Sequence, residues 1–383
     1  MPSDFPISRR ALLTGSAACA ATSLFAPRAF ANDTPAGLDA LARAKGLRFG
    51  TAMGVSDLDE PDLMALIEKD CSILVAENAF KWKAVEGRPR HYTFDRADAI
   101  YSYANGSGKA LRGHTLVWNQ DDRVPDWLLR VDDESDAVRP AIMETLIESH
   151  IETMIGRYPR VTSWDVVNEM IRPYQGDVRN TVITHAVSER VMDIAFHKAR
   201  ELAPDTQLAY NDYMSWTARP NHRDGVLRLL EGALGRGVPI DALGIQAHLV
   251  NTLEDEVDER GWRAFLDEIE GMGLTVLLTE LDCADTNVAA TSIHARDRAA
   301  ADHVKAYLDV TLSYDNVSDI LLWDMTDRGS YVRQRRYANN RPREDGAELR
   351  AHPYDDDLQR KPMYNAIADA LRHAPERARP ERG

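Results

Sequence analysis

Apolar residues fall along this chain on two alternating periods. Short runs rich in branched apolar residues read as strands: Arg48–Ala52, Ser72–Ala76, Ala110–His114, Val161–Val167, Gln207–Tyr210, Ala242–Gln246, Thr275–Thr279 and Ile320–Trp323. Between them, apolar positions repeat at helical spacing over Pro61–Lys69, Pro140–Tyr158, Glu189–Leu202, Arg223–Gly235, Trp262–Met272 and Ala295–Thr311. Eight strands with helices interleaved, and no second core, predict the α/β class as a single (β/α)8 TIM barrel. A doubly wound open sheet is the alternative, but no GxGxxG follows an early strand. No Ser/Thr/Pro-rich linker sets off an appended module.

Nearly every predicted strand runs into a polar or aromatic cluster at its C-terminal end. The second reaches Glu77-Asn78 and then Lys81-Trp82, and the third reaches Arg112-Gly113-His114-Thr115 and then Trp118. The fourth ends in Asn168-Glu169, the fifth in Asn211-Asp212-Tyr213, and the sixth in Gln246-Ala-His248. The seventh ends in Glu280-Leu-Asp282 and the eighth in Trp323. In a barrel these ends converge on one face, which is where such folds carry their sites.

Two glutamates dominate that face. Glu169 closes Val161-Thr-Ser-Trp164-Asp-Val-Val-Asn168-Glu169, and Glu280 interrupts Leu274-Thr-Val-Leu-Leu-Thr279-Glu280-Leu-Asp282. An ionised Glu is almost never buried without a partner, so packing alone does not explain them. Paired carboxylates at a barrel rim suit glycoside hydrolysis, and a retaining pair requires carboxyls about 5–5.5 Å apart. Strand alternation puts Gln246 and His248 on one side of their strand and Glu280 and Asp282 on one side of theirs. Asp282 beside His248 would fix that imidazole, which could then donate to Glu280 and keep it ionised as nucleophile. Glu169 follows Val166-Val167 beside Trp164, surroundings that raise a carboxyl pKa and suit a general acid. Trp82 and Trp127 read as packing or loop anchors. Asn211, Asp212 and Tyr213 either brace the fifth-strand loop or touch substrate directly.

Composition narrows the partners. The 383-residue chain carries a net charge of −15, which argues against a nucleic acid held through phosphates and is compatible with a neutral polysaccharide. Ser8-Arg9-Arg10-Ala11-Leu12-Leu13 precedes a small, apolar stretch to about Phe25, and Ala29-Phe30-Ala31 fits a cleavage site. Residues 1–31 therefore read as a secretory leader of twin-arginine type, with an uncleaved anchor or a disordered tail as the alternative. Cleavage near Ala31 would give a periplasmic or secreted protein starting at Asn32. The catalytic domain is expected over 32–372 and a disordered polar tail over 373–383. Cys19 leaves with the leader, and Cys71 and Cys283 lie in or beside apolar runs as buried thiols. No CxxC and no His/Cys cluster marks a metal site, so no metal or cofactor is expected. The mature form is expected to be a monomer that binds no membrane.

Taken together, Glu77-Asn78 with Lys81-Trp82, Arg112-Gly113-His114-Thr115-Leu-Val-Trp118, Trp164-Asp-Val-Val-Asn168-Glu169, Asn211-Asp212-Tyr213, Gln246-Ala-His248 and Thr279-Glu280-Leu-Asp282 form a specific set. On these motifs the chain resembles the family 10 glycoside hydrolases, the endo-β-1,4-xylanases, over essentially its whole mature length. The resemblance implies a retaining double displacement on internal β-1,4-xylosidic bonds of xylan, with Glu169 as acid/base and Glu280 as nucleophile. It implies sugar contacts from Glu77, Asn78, Lys81, His114, Trp118, Asn168, Gln246, His248 and Trp323. Asn168, His248 and Asp282 would support catalysis. A β-1,4-glucanase or aryl-glycosidase on the same scaffold is the alternative, followed by a non-catalytic glycan-binding barrel. A metal-dependent hydrolase using His114 and His248 lacks an HxH pair.

Two departures from the family pattern stand out. Asn119 follows Trp118 where many relatives carry His. The usual Trp-Gly and Ser-Trp near the eighth strand read here as Trp323-Asp324 and Ser330-Tyr331, so Tyr331 takes a sugar-facing Trp position with a smaller ring and a polar tip. After it come Arg333, Arg335, Arg336, Arg341, Arg343 and Arg350. The plain reading is a solvated loop charge run. The sharper one is recognition of acidic xylan decorations. It predicts that neutralising Arg335 and Arg336 weakens turnover of glucuronoxylan while leaving unsubstituted xylan untouched; equal effects on both polymers would sink it.

Overall fold

The computed structural model describes residues 37–249, 256–289, 292–334 and 342–378, so the leader expected over 1–31 lies outside the described residues. Eight parallel strands form the wall: β1 Arg48–Met53, β2 Ile73–Ala76, β3 Ala110–Gly113, β4 Ser163–Asn168, β5 Gln207–Asp212, β6 Ala242–Ile245, β7 Thr275–Leu281 and β8 Val317–Leu322. Each pairs with the next, and β8 returns to pair with β1, closing the sheet. The two-residue strand Val117–Trp118 adds to the top of β4. Helices such as Pro61–Asp70, Arg139–Arg157, Arg190–Leu202 and Ile293–Thr311 cover the outside. This is the (β/α)8 barrel that the pattern predicted. Among the described residues, no helix is long and apolar enough to cross a membrane.

The strands separate two packing regions by side-chain parity. On β2, Leu74 and Ala76 join the large core shared with the helices, while Ile73 and Val75 pack with Ala52, Leu321 and Trp323. The interior is not wholly apolar. Arg48 Nη2 donates to Asp319 Oδ2 at 2.8 Å, and the fully buried Arg112 pairs with Asp165 and donates to Ser163 at 3.0 Å. Buried polar partners of this kind explain two boundary errors. The eighth strand starts at Val317 rather than Ile320 because Ser318 and Asp319 are polar yet buried, Asp319 neutralising Arg48. The fifth extends past Tyr210 through Asn211 and Asp212, which find partners inside the site.

Two further helices, Asp95–Gly106 and Pro362–His373, lie outside the predicted set. Asp95–Gly106 buries only Ala97, Ile100 and Ala104, a stripe too thin to stand out. Pro362–His373 carries the chain into the segment expected to be a disordered tail. There Ala374 is buried, and Arg377 Nη2 donates to the carbonyls of Leu312 (2.6 Å) and Tyr314 (3.0 Å). The polar composition hid this anchor, because its partners are backbone carbonyls far away in sequence; residues 379–383 lie outside the described residues. Cys71 and Cys283 are both buried, and Trp82 is packed with its ring stacked on His150.

Gly113, at the end of β3, is required by close approach. A Cβ there would stand 2.0 Å from the Trp164 ring, which is itself buried between strand and helices. A buried indole has nowhere to retreat. Gly113→Ala is expected to destabilise the barrel by about 2 kcal/mol or more, read as a lowered midpoint in urea denaturation.

Candidate active site

Glu280 sits where β7 breaks register with β8, between Leu278 and Leu281. The irregularity lets consecutive residues turn toward the same neighbour, which strict alternation forbids. Thr279 Oγ1 donates to Asn211 Oδ1 at 2.7 Å, and Asn211 Nδ2 donates to Glu280 Oε1 at 2.8 Å. Space for Asn211 comes from Gly244 on β6, where a Cβ would lie 2.2 Å from Asn211 Oδ1. The other Glu280 oxygen faces His248 Nε2 at 3.1 Å, and His248 Nδ1 faces Asp282 Oδ2 at 2.6 Å.

That chain of contacts sets two charges. Burial alone would discharge His248, but Asp282 and Glu280 on either side raise its pKa to about 10. Burial alone would likewise raise Glu280. The hydrogen bond from His248, the His114 and His248 charges and the Asn211 amide outweigh it and pull Glu280 down to about 2. The imidazole is therefore an imidazolium between two carboxylates at neutral pH, and Glu280 is ionised.

Glu169 has the opposite environment. It follows β4 with φ 59°, a left-handed conformation rare outside glycine, and its backbone N–H donates to the Asn211 carbonyl at 2.9 Å. Its carboxylate accepts from Gln246 Nε2 at 2.9 Å and from Gln120 Nε2. Burial, and then the negative charge of Asp212, raise its pKa. Gln246 and Trp118 oppose the shift by hydrogen bonding, and the Glu280 charge adds to it. With its amide oriented to satisfy both ends, Asn168 donates to the Asn211 carbonyl (3.0 Å) and accepts from Trp118 Nε1 (3.1 Å).

The aromatic and basic residues gather beside this pair. His114 is buried, its Nδ1 held 2.9 Å from Asp165 Oδ2, and its ring meets Trp118 and Trp323 edge-on at 5.9 and 5.3 Å. Lys81 Nζ donates to Asn78 at 2.8 Å and lies 4.8 Å from the Trp118 ring centre. Burial lowers the Lys81 pKa to about 8 although Glu280 and Glu77 oppose this. Glu77 lies near Asp324, whose pKa is driven well up by burial and by the Glu77 charge. Asp324 has φ 108°, a glycine-like conformation that fits the Gly of the usual pattern at this position.

The structure thus brings together Glu169, Glu280, Asn168, His248, Asp282, Lys81, Asn78, His114, Trp118, Gln246 and Trp323 around one end of the barrel. Tyr331 differs from expectation. Its hydroxyl donates to Asp282 Oδ2 at 2.5 Å and lies 2.9 Å from His248 Nδ1, so its polar tip serves the His–Asp pair. Asn119 lies buried under the site, accepting from Thr181 at 2.6 Å. Of the arginines after Tyr331, Arg333, Arg343 and Arg350 pair with Asp356, Asp345 and Asp297. Arg335, Arg336 and Arg341 lie outside the described residues.

Sequence reasoning missed two partners and left the role of a third open. Gln120 and Asp165 look like ordinary loop and strand polarity, and only the fold turns them onto Glu169 and His114. For Asn211 the sequence leaves bracing and substrate contact open; its two side-chain hydrogen bonds tie β5 to Thr279 and Glu280 of β7.

Comparison with known proteins agrees with this geometry. The profile of Glycosyl hydrolase family 10 matches residues 37–370. The chain is 28% identical over 336 residues to endo-1,4-beta-xylanase 3 of Hypocrea jecorina, covering 87% of this chain and 85% of the relative. It is 30% identical to endo-1,4-beta-xylanase 2 of Aureobasidium pullulans, covering 86% of this chain and 88% of that protein. The crystal structure of native xylanase 10B from Thermotoga maritima superposes with a TM-score of 0.76 at 26% identity, over 88% of this chain and 98% of that one. The chain belongs to glycosyl hydrolase family 10.

Proposed function

We propose that this chain is an exported, monomeric endo-β-1,4-xylanase that cleaves internal bonds of xylan with retention of anomeric configuration. The observation that carries the reading is that two buried glutamates in one site have their acidities shifted in opposite directions. Glu280 is held ionised by His248 and Asn211, while burial and Asp212 push Glu169 toward its neutral form. Two carboxyl groups driven apart in this way supply a nucleophile and an acid within one site.

The steps follow from those states. Glu280 attacks the anomeric carbon as Glu169 protonates the leaving glycosidic oxygen, giving a glycosyl ester on Glu280 and a shortened chain. Esterification removes the Glu280 charge, one of the influences that raise Glu169. Glu169, now the stronger acid and ionised by its own proton loss, takes a proton from water, which displaces the ester. Trp118 and Trp323 offer apolar faces for pyranose rings, and Lys81, Asn78, Glu77 and His114 offer hydrogen bonds to an adjacent sugar. Asn168 stands where it can reach the sugar 2-hydroxyl. Names of the relatives support xylan as substrate, and Ser8-Arg9-Arg10 with Ala29-Phe30-Ala31 supports export.

Product analysis on xylan and on carboxymethyl cellulose tests the reading. Wild type is expected to release short xylo-oligosaccharides with retained configuration, and Glu280→Ala to lose roughly 10⁴-fold or more in kcat. Undiminished xylan cleavage by that variant would defeat the mechanism, and cellulose cleavage without xylan cleavage would defeat the substrate.

A second test uses pH. The acid limb of kcat/KM follows Glu280, which must be ionised, and the alkaline limb follows Glu169, which must be protonated. Asn211→Ala removes a hydrogen bond that lowers the Glu280 pKa. Its acid limb is expected to move to higher pH, with kcat/KM at the plateau down about tenfold. An unmoved limb would take Asn211 out of the nucleophile's environment.

A further inference from the structure

Three atoms at the back of the site form a closed triangle. Tyr331 Oη lies 2.5 Å from Asp282 Oδ2 and 2.9 Å from His248 Nδ1, and the last two are 2.6 Å apart. The phenol can donate only one proton, and Asp282 Oδ2 is the acceptor that has none of its own. Its lone pair is then left toward Nδ1, so the imidazole N–H lies between two oxygens. That arrangement restrains the ring against rotation about its own axis. The ring's opposite nitrogen, Nε2, is the atom that faces Glu280 at 3.1 Å. The side chain is anchored as well: Ser330 caps the short turn Tyr331–Arg333, and Tyr331 N donates to Asp324 Oδ2 at 3.3 Å.

We propose that Tyr331 is a positioning residue for the nucleophile: its hydroxyl clamps Asp282 against His248 and so fixes the imidazole edge presented to Glu280. The inference rests on the reading of Glu280 as nucleophile. An indole at this position has a larger face, so the exchange of Trp for Tyr gives up stacking area and gains a hydroxyl aimed at the His–Asp pair. The ring centre itself lies 5.6 Å from that of His248. The structure assigns the polar tip a task separate from that face.

The test isolates the attack of Glu280 from the acid step. A 2-deoxy-2-fluoro-xylobioside carrying 2,4-dinitrophenolate needs no proton from Glu169. A Glu280 oxygen forms the bond to the anomeric carbon, the bond to the phenolate oxygen breaks, and the phenolate leaves with the electron pair. Tyr331→Phe, with the full chain and a circular-dichroism melt as control, is expected to be labelled about tenfold more slowly at unchanged probe affinity, the loss that follows removal of one hydrogen bond to a charged group. The acid limb of kcat/KM is expected to move to higher pH as the hold of His248 on Glu280 loosens. Tyr331→Leu, which removes ring and hydroxyl together, is expected to show the same limb shift and carries the test should the phenylalanine variant not fold.

A phenylalanine variant labelled at the wild-type rate with an unmoved acid limb overturns the proposal. So does a loss confined to probe affinity, or one seen only with leucine, either of which would make the ring a sugar platform. Wild type that resists the probe, or is labelled at a residue other than Glu280, overturns the nucleophile reading and this inference with it. Peptide mapping of the labelled protein tells that failure from the others.

Discussion

Everything at the top of this barrel is organised around one positive charge that burial opposes. His248 is partly withdrawn from solvent, yet it stays an imidazolium because Asp282 stands 2.6 Å from one nitrogen and Glu280 3.1 Å from the other. An uncompensated buried charge is costly, and each partner here removes that cost for its neighbour. The result reaches beyond three residues. The Glu280 charge adds to the burial and the Asp212 charge that raise the Glu169 pKa, so the two acids shift in opposite directions within one enclosed space.

Holding those acids in place falls to amides and to the barrel's irregularities. Asn211 touches Thr279 and Glu280 with its side chain, and its backbone carbonyl receives the N–H of Glu169. It can do so because β7 breaks register, because Gly244 leaves room, and because Glu169 accepts a left-handed backbone. Each of these costs regularity in the sheet. Such departures collect where geometry must serve chemistry, and here they converge on one asparagine.

Departures from the usual family pattern also have physical consequences. Asp324 takes the glycine-like conformation in a position where glycine is usual, and burial and the Glu77 charge drive its carboxyl pKa well up. Tyr331 spends its hydroxyl on the His–Asp pair instead of offering only a face. Arg333, Arg343 and Arg350, which look like part of a loop charge run, pair with nearby aspartates. Arg350 through Asp297, and Arg343 through the carbonyls of Asp285 and Val288, tie that segment to the residues that follow β7.

Much of this was legible in the chain as written. Alternating strand and helix periods determine the barrel, because a buried parallel strand must be apolar on both faces and its covering helix on one. Polar residues at successive strand ends determine which rim carries the site, since no packing need places them there. Pairs two residues apart, Gln246 with His248 and Glu280 with Asp282, are local enough to be recognised without coordinates. What the tertiary structure alone decided is long-range pairing. Asp319 on β8 extends its strand because Arg48 on β1 awaits it, and Arg377 orders an otherwise polar tail through carbonyls of Leu312 and Tyr314. Gln120 meets Glu169, Asp165 meets His114, and Tyr331 meets Asp282 by closure of the barrel. A side chain's type is written in the sequence, but the partner that satisfies its charge or hydrogen bond is set by which distant strands become neighbours.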